Sequence, residues 1–219
     1  MTGQPLRDPD IILFDLDGTL IDSVPGLTEA TNRMLSDRGL PPVGDHEVRN
    51  WVGNGTWRLV ERALGLRDAS AGDPADVREA YERFHAHYAA CCMDRTRIFE
   101  NAPELIRAIR DRNIRTAIVT NKPDVHAQRM MGAWSSLLPM DVVIGQRDGH
   151  PRKPDPTMLR QAMEACGSRT AWMVGDSEVD GLAARALGLD FIGVRLGYNQ
   201  GRDIAEMRPA PSLVFDDLG

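Results

Sequence analysis

The sequence predicts an α/β fold: a three-layer core of parallel strands and flanking helices, carrying an inserted all-helical cap. Three observations lead there. Short apolar or β-branched runs recur between amphipathic stretches along most of the chain. Those runs are mostly continuous rather than alternating, the pattern of strands covered on both faces. One long stretch near the amino-terminal end shows helical periodicity and no strand pattern. The length of 219 residues suits one domain with a modest insertion, since a domain typically takes roughly 100–200 residues.

The first strand is expected over residues 10–14, around Ile11-Ile12-Leu13-Phe14. From residue 23 to 98 helical patterns follow one another at Leu27–Arg38, Thr56–Leu64 and Ala75–Cys91. Turn-rich joints divide them, Gly39-Leu40-Pro41-Pro42 and Asp68 through Pro74. A parallel crossover needs only about a dozen residues, so a stretch of roughly 75 reads as a cap over the sheet. Beyond it, strands near 115–119, 141–144, 171–174, 190–194 and 212–215 alternate with helices near 102–111, 123–132, 155–166 and 177–188. The helix at 155–166 places Met158, Leu159, Ala162, Met163 and Cys166 at spacings of three and four, one buried face. Strand–helix–strand repetition implies βαβ units and a Rossmann-like sheet with helices on both faces. The expected division is a catalytic core of residues 1–22 and 99–219, with residues 23–98 as the cap.

Composition narrows the function classes. Hydrophobic residues make up 42% and charged residues 26%, as in ordinary globular proteins. Thirty-two acidic against 26 basic residues give a net charge of −6 and a pI near 5.4. That balance argues against nucleic acid or an anionic membrane as partner. No apolar run approaches the ~20 residues of a membrane helix. The first ten residues, with two prolines and three charges, lack a signal-peptide core. Cys91, Cys92 and Cys166 cannot all pair internally and show no Cys-x-x-Cys spacing. A cytoplasmic protein without a disulfide scaffold or zinc ribbon is expected.

The sharpest chemical feature is Asp15-Leu16-Asp17-Gly18-Thr19-Leu20, directly after the first strand. Ligands of open α/β sheets bind outside the carboxyl ends of the strands, so Asp15 and Asp17 stand where chemistry is expected. Gly18 lets the backbone turn tightly near a ligand. An EF-hand calcium loop does not fit, because it needs Gly at its sixth position and Gly18 is fourth, after a strand. Taken alone, the tetrapeptide reads more readily as a plain Asx-turn; the other motifs change that. Asp176 and Asp180 follow another apolar run, Ala171–Val174. In the simplest reading Asp176 caps the next helix, and Asp180 lies one turn on, on the same face. Acidic pairs at two strand ends suit a hard, oxygen-ligated cation such as Mg²⁺. Thr120-Asn121-Lys122 ends a third strand, and Lys153-Pro154-Asp155-Pro156 opens a helix. A hydroxyl and an ammonium beside several carboxylates make sense when the ligand is itself an anion, and lysine suits phosphate.

In order and spacing these motifs resemble those of the haloacid dehalogenase superfamily: Asp-x-Asp-Gly-Thr, then Thr120-Asn121, then Lys153, then Gly175-Asp176 with Asp180. The resemblance covers nearly the whole chain, a helical cap after the first motif included. Within that superfamily, Asp15 through Ser23, Trp51-Val52-Gly53-Asn54-Gly55, Val119 through Pro123, Val143-Ile144-Gly145 and Gly197 through Gly201 look like phosphoglycolate phosphatases. The resemblance implies Mg²⁺-dependent hydrolysis of a phosphomonoester through an aspartyl-phosphate, on 2-phosphoglycolate or a similar small phosphorylated metabolite. A sugar-phosphate mutase of the β-phosphoglucomutase kind and a pyrophosphatase are alternatives on the same scaffold. A non-catalytic phosphate-binding protein is the third, and it would have no need of Asp17.

The family mechanism, carried over position by position, makes Asp15 the nucleophile. Asp17 would protonate the leaving alkoxide and then deprotonate the attacking water. Asp15, Asp176 and the backbone carbonyl of Asp17 would hold Mg²⁺, with Asp180 orienting that site from behind. Thr120 and Lys153 would bind phosphate oxygens, helped by backbone N–H groups near Gly18 and Asn121. Charge explains the need for cations. At ~4 Å and an effective dielectric near 20, each like-charge pair in such a site costs about 4 kcal/mol.

Substrate selection is expected from the cap. Gly53, Asn54 and Gly55 precede a helix whose N–H groups could accept a substrate carboxylate, and Arg58 and Arg62 lie one turn apart beside it. The alternative is that these glycines shape an interhelical turn while both arginines are solvated. Two stretches depart from the family pattern. The return from cap to core reads Phe99-Glu100-Asn101-Ala102-Pro103 in place of the usual Pro-Gly. Asn tolerates the left-handed backbone, so the turn is expected to survive. The segment Ala69–Asp76 is short and divergent.

Other candidates are poorer. His85 and His87 sit two apart on an expected helix and point different ways. His46, His126 and His150 have no Cys or His partner at metal spacing. Gly53–Arg58 lacks a dinucleotide fingerprint's last glycine, and no Gly-x-Ser-x-Gly is present. Tyr198 and Asn199 are read as lining the site entrance or forming a turn.

Overall fold

The computed structural model describes residues 8–53, 55–66 and 73–219. Its centre is the strand β1 (Ile11–Phe14), every residue of which is buried. The sequence expectation of an α/β fold holds: six parallel strands form one sheet. Besides β1 these are β4 (Arg115–Pro123), β5 (Val142–Gln146), β6 (Ala171–Gly175), β7 (Asp190–Val194) and β8 (Leu213–Phe215). Their order is β5-β4-β1-β6-β7-β8. The order reverses at β1, which has β4 on one side and β6 on the other. Crevices at such reversals, beyond the carboxyl ends of the strands, are where open sheets bind ligands.

Alternation along β1 fills both faces. Ile12 and Phe14 enter one apolar cluster with Ile118, Val174 and Ile192. Ile11 and Leu13 enter the other with Ala117, Val119 and Met173. The helices that cover them are α5 (Ala102–Asp111), α6 (Asp124–Ala133), α7 (Thr157–Ala165) and α8 (Glu178–Ala186). A single 3₁₀ turn, Ile204–Glu206, precedes β8.

Between the short strands β2 (Ile21–Asp22) and β3 (Arg97–Ile98) lie α1 (Val24–Asp37), α2 (Asp45–Trp51), α3 (Thr56–Ala63) and α4 (Pro74–Arg95). The strands β2 and β3 pair antiparallel, so the chain enters and leaves this helical block through one two-stranded ribbon. α4 begins cleanly, with Pro74 at its start and Asp73 Oδ1 accepting from Ala75 N at 2.9 Å. α1 and α4 lie side by side, burying Ala30, Met34 and Leu35 with Phe84, Tyr88 and Cys92.

Three local features differ from the sequence reading. α2 carries a single buried residue, Val48, so it has no apolar stripe to betray it. β2 and β3 are two residues each, too short for any periodic signal. The backbone at Asn101 is right-handed, φ −89°, so the return turn needs no left-handed residue. Ala102 N closes it on Phe99 O at 3.0 Å, and Phe99 N bonds Leu20 O. The three cysteines are free and buried, and no helix among the described residues is long and apolar enough to cross a membrane.

Candidate active site

The carboxyl ends of β1, β4 and β6 bring the expected residues to one place. The register sets Phe14 beside Ile118 and Val174, and Asp15 N bonds Val174 O at 2.9 Å. Asp15 and Asp17 therefore leave β1 between Thr120 of β4 and Asp176 just past β6. Gly18, at φ +86°, folds the chain back so that its N–H reaches Ile21 O at 2.8 Å. A Cβ at Gly18 would stand 2.5 Å from Asp176 Oδ2, so the turn and the carboxylate share one close-packed space.

Lys153 is the electrostatic hub. Its side chain has no exposed surface, and Nζ lies 2.6 Å from Asp180 Oδ1 and 3.0 Å from Asp15 Oδ1. The backbone that carries it is pinned by Asn121, whose Nδ2 donates to Lys153 O and whose Oδ1 accepts from Lys153 N, each at 2.9 Å. Asp180 Oδ2 accepts from Ser177 Oγ at 2.6 Å and Ser177 N at 3.2 Å. Asp176 is buried; Tyr198 N donates to its Oδ2 at 2.6 Å and Thr19 Oγ1 to its Oδ1 at 3.2 Å. Thr120, also buried, accepts from Lys122 N at 3.2 Å.

Asp15, Asp176 and Asp180 each offer a carboxylate oxygen, all within 4.8 Å of one another. The crowding shows in their protonation. Burial pushes the Asp15 carboxyl up to about 6, with Lys153 opposing and Asp180 adding to the rise. Burial, then the charges of Asp15 and Asp180, hold Asp176 well above the usual carboxylate range. Asp15 Oδ1 is buried without a well-directed hydrogen bond, although the Lys153 ammonium stands beside it. Oxygen donors of this kind, crowded and short of positive charge, fit a hard divalent cation.

One pair in the site escaped the sequence reading. Lys122, the residue after Asn121, is buried, and its Nζ donates to Asp17 Oδ1 at 2.8 Å and Oδ2 at 3.1 Å. Its third partner is Tyr88 Oη on α4, at 2.6 Å. Burial would lower the Lys122 pKa, but Asp17 and Tyr88 together hold it above the ordinary lysine range. Burial pushes the Tyr88 hydroxyl up to about 12. Lys122 stood in view at a strand end. Its partner comes from a helix 34 residues earlier, and nothing in the spacing reveals that.

These groups line a cavity of about 50 Å³. At ~10–15 Å³ for each water, that is room for a few waters or one small ester. Gly53, Gly55, Leu27 and Leu59 wall it from the helical block, and Tyr198 closes one side. Asn54 lies outside the described residues, as does the first half of the segment Ala69–Asp76. Arg58 and Arg62 do not line this cavity. They line an adjoining recess of about 330 Å³ together with Arg152, Gly53 and Lys153. Arg58 Nη1 bonds Glu61 Oε2 at 2.7 Å, and Arg62 Nη1 bonds Trp51 O at 3.1 Å. Tyr198 also fixes the helical block: its hydroxyl donates to Asp22 Oδ1 at 2.6 Å and accepts from Ser23 N at 3.0 Å. Asn199 lies in a separate depression with Glu178 and Arg202.

The histidines hold a second surprise. His87 points outward to Asp37 at 2.7 Å. His85, by contrast, stacks on buried His126 of α6, with Nδ1 and Nε2 3.2 Å apart. Two histidines 41 residues apart meet only because α4 lies across α6.

Comparisons with known proteins agree with this geometry. A family model described as haloacid dehalogenase-like hydrolase matches residues 12–194. The phosphoglycolate phosphatase of Pseudomonas fluorescens (strain Pf0-1) is 38% identical over 217 residues, covering 98% of this chain and 79% of that protein. The phosphoglycolate phosphatase of Rhodospirillum rubrum is 35% identical, with 96% and 88% covered. A crystal structure described as a predicted phosphoglycolate phosphatase from Haemophilus somnus 129PT superposes with a TM-score of 0.85 at 29% identity, covering 95% of this chain and 94% of that one.

Proposed function

The chain belongs to the haloacid dehalogenase-like hydrolase family and is a phosphatase; from that premise we propose that it hydrolyses a small phosphate monoester, 2-phosphoglycolate, through an aspartyl-phosphate on Asp15. One observation carries this reading: Asp15 and Asp17 emerge from the central strand into a small cavity already furnished with a buried lysine and a buried carboxylate cluster.

In the proposed reaction an Asp15 carboxylate oxygen attacks phosphorus, a bond to phosphorus forms and the ester P–O bond breaks. Asp17 gives the leaving alkoxide its proton. It then takes a proton from the water that attacks the aspartyl-phosphate, and inorganic phosphate leaves. Thr120 and Lys153, with backbone N–H groups near Gly18 and Asn121, receive the phosphoryl oxygens. Asp15, Asp176 and the Asp17 carbonyl would hold Mg²⁺, which supplies positive charge against the phosphoryl oxygens and the carboxylates. Asp180 acts behind them, since both its oxygens are engaged by Lys153 and Ser177.

Residues 23–98 act as the cap in this reading, and residues 1–22 with 99–219 as the core. In this reading the cap excludes water, with Gly53 and Gly55 walling the cavity and Arg58 and Arg62 lining the recess beside it. The relatives named above support the substrate, and the small cavity suits a two-carbon ester. The test is phosphate release with Mg²⁺ from 2-phosphoglycolate beside glucose 1-phosphate, pyrophosphate and an aryl phosphate. The expected result is a clear kcat/KM preference for 2-phosphoglycolate, abolished by chelation. Equal low rates on every ester, or full activity in chelator, would overturn it.

A further inference from the structure

Two ammonium groups line the cavity, and they are not equivalent. Lys153 serves two core carboxylates, Asp15 and Asp180. Lys122 has spent all three of its N–H donors, on both oxygens of Asp17 and on Tyr88 Oη. An Asp17 carboxylate gripped on both oxygens cannot turn toward a leaving-group oxygen without surrendering one of these bonds. Nor can Lys122 simply release it. Its side chain is 2% exposed, and a buried ammonium without an acceptor is strongly disfavoured. Asp17 is freed only when another anion takes its place on Lys122.

We propose that Lys122 is the subsite for the carboxylate of the substrate, and that this carboxylate displaces Asp17 from Lys122, leaving Asp17 free to take a proton from solvent water and pass it to the leaving oxygen. The inference rests on the proposed role of Asp17 as acid and base. It makes selectivity a matter of exchange: an ester with a second anionic group unlocks Asp17, and a neutral ester of the same size leaves it clasped. The rest of the lining supports the assignment. Lys122 and Lys153 are the only cations among the described residues that line this cavity. The walls from the helical block are glycine, apolar residues, Thr56 and the neutral Tyr88. Arg58 and Arg62 are already bonded, to Glu61 and the Trp51 carbonyl, in the adjoining recess.

The experiment compares 2-phosphoglycolate with methyl phosphate, an alkyl ester without the carboxylate, at saturating Mg²⁺. In Lys122→Met, kcat/KM for 2-phosphoglycolate should fall about 100-fold, the scale of removing one partner of a buried charge pair. For methyl phosphate it should rise several-fold, because Asp17 is no longer held. A second measurement uses the wild-type protein alone. Formate with methyl phosphate supplies the two halves of 2-phosphoglycolate, so at constant ionic strength formate should accelerate methyl phosphate hydrolysis saturably. If Lys122→Met does not fold, the formate response decides: saturable acceleration supports the exchange, and its absence overturns it. A folded variant that keeps the wild-type preference, or loses both activities in proportion, overturns the subsite and leaves the substrate assignment standing. A wild type that prefers methyl phosphate overturns both.

Discussion

Lys153 Nζ lies 2.6 Å from Asp180 Oδ1, and neither side chain has any exposed surface. Such a pair contributes little net stability when whole, but breaking it leaves the buried ammonium with Asp15 as its one carboxylate partner. Asp180→Ala should destabilise the fold by about 1.5–3 kcal/mol, the range for lost hydrogen bonds to a charged group, because Asp15 still faces Lys153. It also leaves Ser177 without its acceptor. Chemical denaturation at pH 7 checks this, and a loss comparable to a surface substitution would contradict it.

Asp15 gives a prediction of opposite sign. Its carboxyl is raised to about 6 by burial, so folding penalises the ionised form. With the folded value above the unfolded one, the folded protein binds the extra proton between about 3.8 and 6, and stability falls as pH rises through that window. At pH 7, without divalent ions, Asp15→Asn removes the penalty and should stabilise by on the order of 2–3 kcal/mol. It should also be inactive. Thermal melts in chelator test the first half, with a lower Tm for Asp15→Asn the contrary result.

The His85–His126 stack adds an acid-sensitive contribution to the stability of the fold. Burial, helped by His85 and Lys122, depresses His126 to about 4 from its usual 6.5. The unfolded chain therefore takes up a proton that the folded one refuses, so the His126 contribution to stability should drop as pH falls from about 6.5 toward 4, opposite in sign to that of Asp15. Denaturant midpoints across that range would show the slope. In His126→Phe, which keeps a ring against His85 but cannot take the proton, stability relative to wild type should rise as pH falls through that range. An unchanged slope would assign it to other groups.

Gly197 guards the carboxylate cluster from outside. A Cβ there would overlap the Asp176 carboxylate itself, and the next residue, Tyr198, donates its N–H to that carboxylate. Gly197→Ala should cut kcat/KM at least about 100-fold, as a misplacement of about 1 Å does in a positioned site. The requirement for Mg²⁺ should rise with it. Metal titration of activity reads both, and normal kinetics would remove Asp176 from the site.

Much of this was legible in the chain because the chemistry sits on short, local patterns. Asp15, Asp17, Asp176 and Asp180 follow continuous apolar runs within a few residues, so strand ends and site residues announce themselves together. The central sheet and its helices were readable for the same reason: each buries an apolar face. What the sequence concealed was set by partners distant along the chain. Lys122 was visible as a lysine after Thr120-Asn121, but its grip on Asp17 depends on Tyr88 arriving from α4. His126 looked solitary until α4 brought His85 to it. α2 hid because it buries only Val48, and the β2–β3 ribbon hid because two residues make no pattern.

The most direct test of the account is to find the phosphoryl group on the enzyme. Mixing the protein with 2-phosphoglycolate and Mg²⁺, quenching in acid within the first turnover and sequencing peptides by mass spectrometry should place one phosphoryl group on Asp15. Hydroxylamine should remove that group, and Asp15→Asn should acquire none. Steady turnover of 2-phosphoglycolate with no label, or with the label on another residue, would contradict the central claim.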